Sequence, residues 1–132
     1  MYIVAGNGST DVENGGEDYG DTVLHLSFAN GQFQVLDWFT PFNRDCIDAS
    51  DIEMGSGGFA LLPDTVAPGR KLGVALTKEG RFYLLDRTNL GHFNATTDQV
   101  VQQFMVGASA CDAHTTGAAA DGATWNLSLI HI

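Results

Sequence analysis

The sequence predicts an all-β protein, and within that class part of a β-propeller, from three observations. Short apolar runs recur along its 132 residues with turn signals between them, and sixteen glycines supply those turns. No helical stretch is read between the runs. One strand–turn–strand pattern is written twice, which separates a propeller from a sandwich, because a sandwich has no reason to repeat at the level of sequence.

The elements follow in order. Residues 2–5 (YIVA) form a short apolar run stopped by Gly6-Asn7-Gly8, and read as a buried strand. Residues 22–28 (TVLHLSF) alternate, with Leu24, Leu26 and Phe28 on one face and Val23, His25 and Ser27 on the other. Asn30-Gly31 is the dipeptide best suited to the positive φ angles of a tight hairpin, and residues 33–39 return as the second strand. Residues 59–62 (FALL) make a short strand ended by Pro63. Leu72, Val74 and Leu76 share one face of the next strand, residues 77–80 turn, and residues 81–86 run back. Residues 100–106 close the series as a strand, although VVQQFM would also suit one or two helical turns.

The repeat aligns residues 21–27 (DTVLHLS) with residues 80–86 (GRFYLLD), each followed by Asn-Gly or Asn-Leu-Gly. Upstream, residues 2–6 (YIVAG) match residues 72–76 (LGVAL) once residues 8–18 are treated as an insertion. Such a unit cannot cover both faces of its own sheet and must stack on neighbours. The expected organisation is one propeller region over residues 1–126, with blade parts at about 1–39 and 59–106 and the start of another blade at about 113–126.

Charge narrows the partners. Sixteen acidic residues against six Lys and Arg give a formal charge of −10, which repels phosphate backbones and anionic lipid and argues against nucleic acid and membrane. No run approaches the roughly 18 apolar residues of a membrane span. No charged-then-apolar leader precedes Tyr2, which carries no information about export if the chain is an internal piece. Cys46 and Cys111 are read as free thiols, with one disulfide as the alternative in an exported protein.

Residues 80–86 with Asn89 to Gly91 resemble the repeat of pyrroloquinoline-quinone (PQQ)-type propellers, in which a glycine precedes a strand ending in Leu-Asp and a Gly turn follows. Residues 78–87 (KEGRFYLLDR) are similar to the quinoprotein alcohol dehydrogenase blade that carries a basic residue just before its glycine. Residues 37–43 (DWFTPFN) resemble the end of the preceding blade, and residues 61–64 (LLPD) that of the next. The resemblance implies four-stranded antiparallel blades of the quinoprotein type and a periplasmic or secreted location. It implies about two blades of a larger ring, with the remaining blades as partners. It also implies that a cation at Lys78 touches the quinone carbonyls, where hydride transfer from an alcohol builds negative charge. An exposed turn beside Glu79 is by itself sufficient reason for a lysine at this position.

The Trp-Asp pair of the catalytic relatives is missing. Residues 48–55 (DASDIEMG) stand in its place, leaving Asp51 or Glu53 as the candidate carboxylate base. The expected function is therefore a structural or binding segment without a complete catalytic site of its own. It needs no cofactor, while PQQ and calcium belong to the parent if that parent oxidises a small alcohol or sugar. A third reading is a protein-docking propeller of the outer-membrane assembly type, using acidic loops.

Other clusters read as structural. Five carboxylates in residues 11–21 miss the EF-hand spacing and are expected to form a solvated insertion rather than a calcium site. Residues 55–58 (GSGG) lack the Gly-Lys-Ser/Thr ending of a phosphate loop. His25, His92, His114 and His131 lack metal-ligand spacing, and His114 with Cys111 and Asp112 finds no fourth ligand. Residues 127–132 (LSLIHI) do not continue the repeat and match what a sequencing-transposon adapter encodes when read through; they are expected to be non-native.

Overall fold

A computed structural model describes residues 1–107 and 109–111. The expected third blade start and the suspected tail lie outside these residues, as do His114, Asp112 and His131.

The described chain forms two antiparallel meanders. The first contains β1 (Tyr2–Val4), β2 (Val23–Ala29) and β3 (Gln32–Phe39), in that spatial order. The second contains β4 (Phe59–Leu61), β5 (Leu72–Leu76), β6 (Arg81–Asp86) and β7 (Gln102–Met105), again in chain order. The two copies of the sequence repeat contribute β2 and β6, each the penultimate strand of its meander, and β1 and β5 precede them. Asn30 and Gly31 take φ of 54° and 79°, the paired positive angles their sequence favours between β2 and β3. The 100–106 segment resolves as a strand, not a helix, because β7 pairs with β6 from Arg81↔Met105 to Leu84↔Gln102.

Two helical pieces interrupt the expected all-strand series. A 3-10 turn, Val12–Asn14, folds the 8–18 insertion, and α1 (Arg44–Ala49) lies between the sheets in sequence. A helix this short is marginal alone. Burial of Ile47 and a covalent link at Cys46 anchor it. That link corrects the free-thiol expectation: Cys46 and Cys111 form a disulfide, with Cα atoms 5.6 Å apart. The sequence could not pair them, since they stand 65 positions apart and meet only when β7 leads back to α1.

One core lies between the sheets. Val23 and Phe39 from the first meet Ala75, Tyr83 and Leu85 from the second, together with Ile47, Met54 and Leu90. Phe39 and Tyr83 cross edge to face at 5.1 Å, and Tyr2 lies against Phe59 at the same spacing. Val23, not its alternating neighbours, therefore faces this core. The register pairs Leu24 with Ile3 and Trp38, Leu26 with Val35, and Phe28 with Phe33 on the opposite face. A bulge between His25 and Leu26 leaves Leu36 as the extra residue of β3. On the outward side of the second sheet, Val74 pairs with Leu84, Leu76 with Phe82 and Phe82 with Phe104. Both sheets are thus apolar on both sides.

Beyond the core, Asp37 locks the first sheet to the loop after β6. It accepts from the Leu90 amide at 2.7 Å and contacts His92 Nε2 at 2.9 Å, while Trp38 stacks on His92. Among the described residues, no helix is long and apolar enough to cross a membrane.

Candidate functional site

The three candidate residues from the sequence, Lys78, Asp51 and Glu53, come together at one end of the sheets. Lys78 Nζ lies 3.3 Å from Glu53 and 3.5 Å from Asp51. The Lys78 amide donates to the Glu53 carbonyl, which holds the 77–80 turn against the segment after α1. Asn7 continues the cluster, donating through Nδ2 to Asp51 at 3.0 Å. Partial burial works to lower the Lys78 pKa, but the hydrogen bond and attraction of Glu53, then Asp51, outweigh it and raise the value. The lysine is a committed cation whose charge is balanced by two carboxylates.

The exposed-turn reading of this region fails on its neighbour. Glu79 is fully buried, and the Lys78 side chain is only 18% exposed. Glu79 Oε1 accepts from Arg81 Nε at 2.9 Å; its Oε2 accepts from Asn43 at 3.2 Å and Ser109 at 2.9 Å. Asn43 also donates to the Cys111 carbonyl, so the network ties the turn, the start of α1 and the disulfide together. A buried carboxylate is tolerated there because both oxygens are paired.

A second set of residues adjoins the lysine cluster. Gly55 passes so close to Gly6 that an added Cβ would lie 2.8 Å from the Gly6 Cα. That approach, not a phosphate cradle, explains the start of the glycine run, and it lets the Met54 amide reach Asp21 Oδ1 at 3.0 Å. Asp21, read from sequence as part of a solvated acidic loop, is 1% exposed. Its amide donates to the Gly6 carbonyl, and its backbone sits at φ 49°. Its Oδ2 is buried without a hydrogen-bond partner. Burial pushes the carboxyl up to about 6, the Met54 amide opposing and the Asp48 and Glu53 charges adding. The sequence signal was available only as an aspartate immediately before a buried strand.

The rest of the acidic insertion is held partly by its own contacts and partly by α1. Asp11 Oδ1 accepts from the Asp18 amide, and Ser9 donates to Asp18. Glu13 pairs with Arg44, whose hydrogen bond holds the Glu13 pKa below its ordinary value. Among the described residues, no group of three His, Cys, Asp or Glu is arranged to hold a metal ion. Comparison with protein families, with curated proteins and with solved structures finds no match for this chain.

Proposed function

We propose that this chain is a pair of blade modules from a PQQ-like propeller, serving as a structural and binding segment with no complete catalytic site of its own. The observation that carries the reading is the apolar character of both outward faces. Ile3, Phe28, Phe33 and Val35 are exposed on the first sheet and Phe104 on the second. A two-sheet sandwich alternates its core residues with outward polar ones, whereas a layer inside a stack needs apolar residues on both sides. The equivalent placement of β2 and β6 adds to this, since stacked blades repeat one meander.

Hydrodynamics on the isolated chain tests the reading. Self-association and strong binding of a hydrophobic dye are expected, and Phe33→Ser with Phe104→Ser should reduce both. A monodisperse monomer that melts cooperatively and binds no dye would overturn it.

The meeting of Lys78, Asp51 and Glu53 favours a second reading, in which the parent is a PQQ-dependent alcohol or sugar dehydrogenase. Lys78 would then have to exchange its carboxylate partners for a quinone oxygen on binding. Adding quinone and calcium to the full parent, then measuring dye-linked alcohol oxidation and its loss in Lys78→Ala, separates the two readings.

A further inference from the structure

β3 is the longest strand among the described residues, and one of its two sides carries no strand. Leu26 of β2 exchanges both main-chain hydrogen bonds with Met1 at 2.8 Å, so it gives none to Val35 opposite. The alternation of an antiparallel ladder then turns the amide and carbonyl of Val35, and those of Phe33 two residues earlier, away from β2. Further along, the same side is closed by His92, which runs parallel to Phe39. Its carbonyl accepts from the Thr40 amide at 3.4 Å and its amide donates to the Trp38 carbonyl at 3.1 Å. We propose that the open half of this edge, residues 32–35, binds an extended cationic peptide as an added antiparallel strand.

Three observations select that occupant. First, a groove of about 480 Å³ is lined by Glu17, Tyr19, Phe33, Gln34 and Val35. Successive side chains of a strand alternate faces, so a groove lined by Phe33, Gln34 and Val35 in a row follows the edge rather than one face. Its volume falls in the range of about 300–1,000 Å³ typical of ligand sites. Second, the edge lacks the usual guards against strand addition. Residues 32–36 (QFQVL) hold no charge and no proline, and all are exposed. The bulge at Leu36 marks where added pairing stops. Third, charge chooses between a foreign strand and a second copy. The lining holds one acid and no cation, and Glu17 is exposed with no ion-pair partner among the described residues. Each copy carries a formal charge of −10, which opposes edge-to-edge pairing of two copies and draws a basic segment.

The recognition chemistry follows from the ladder. An added strand meets the N–H and C=O of Phe33 and of Val35, and alternate side chains of the guest fall beside those two residues. Those positions take aliphatic residues. Lysine or arginine at the flanks reaches Glu17, and the Tyr19 ring offers its face to the same cation. The inference does not depend on whether the sheets belong to a ring, since stacked neighbours cover faces and leave this edge open.

The test is hydrogen exchange of the full chain with the capped peptide KTVTVTK, together with anisotropy of a labelled copy. Slowed exchange over residues 32–36 and saturable binding are expected. Methylating the two valine amides, which face the edge when the valines lie beside Phe33 and Val35, should abolish binding, whereas methylating two threonine amides should leave most of it. The acidic peptide ETVTVTE should bind about tenfold more weakly, and Glu17→Lys should weaken KTVTVTK about fivefold. Val35→Pro removes an outward donor and no bond to β2, and should abolish binding; should that variant fail to fold, the methylated peptides ask the same question of the unaltered protein. Equal binding of the acidic and basic peptides, or indifference to which amides are methylated, would overturn the proposal. So would protection of residues 32–36 that rises with protein concentration and ignores the peptide, since a second copy would then occupy the edge.

Discussion

Replacing Cys46 and Cys111 together by alanine should cost this protein about 4 kcal/mol. The bridge closes a loop over 65 positions, and the chain-entropy relation assigns about 4 kcal/mol to a loop of that length at room temperature. Both side chains are small, so lost packing adds about 1 kcal/mol at most. Total stability for a domain of this size is about 5–15 kcal/mol, which makes the bridge a large share of it. With a urea dependence of about 1.5 kcal/mol per molar, the unfolding midpoint should fall by about 3 M. The assay is urea unfolding followed by tryptophan fluorescence on the oxidised protein and the double variant. Intact mass should also show the untreated protein lighter by two hydrogens than its reduced form. Equal midpoints in the two proteins would refute the reasoning, because a closed loop of this length cannot be thermodynamically silent unless the unfolded chain is already constrained there.

Glu79→Ala should destabilise by about 3–5 kcal/mol, since it leaves Arg81 buried beside a lost partner, and chemical denaturation measures it. Phe39→Ala should cost a similar 3–5 kcal/mol by removing the ring that crosses Tyr83 at the centre of the core, with a lowered melting temperature as the readout. Asp21 and Asp98 both have folded-state pKa values near 6, raised chiefly by burial. The unfolded chain therefore releases these protons first, and stability falls as pH rises from about 4 to about 6. Glu13, held down by Arg44, and Asp86, held down by Thr88, act in the opposite sense and lose their contribution below about pH 4. Thermal melts across this range should peak at about pH 4, and Asp21→Asn should flatten the alkaline side of the peak.

The strands were legible because their signals are local. Alternation located β2, Asn30-Gly31 located its turn, and the 81–86 strand stands as read. Which face of β2 meets the shared core was not legible, because Leu24, Leu26 and Phe28 are as apolar as any core residue and the choice belongs to the partner sheet. The short helix escaped notice for the same reason: Arg44–Ala49 is held by Ile47 and the bridge rather than by its own propensity. Lys78, Asp51 and Glu53 were chosen on resemblance and do meet in space. Asp21 was read as part of a solvated loop and Glu79 as part of an exposed turn, since nothing local distinguishes a buried acid whose distant partners sit 30 to 36 positions away.

The Cys46–Cys111 bridge encloses β4 through β7 and leaves β1 to β3 outside. A protease cut at an exposed tip within the second meander, such as Pro68-Gly69, would therefore leave two halves still tethered, while a cut at Asn30-Gly31 would release the amino-terminal strands. The two meanders carry unequal insurance against nicking, and gel mobility with and without reductant would display the difference directly.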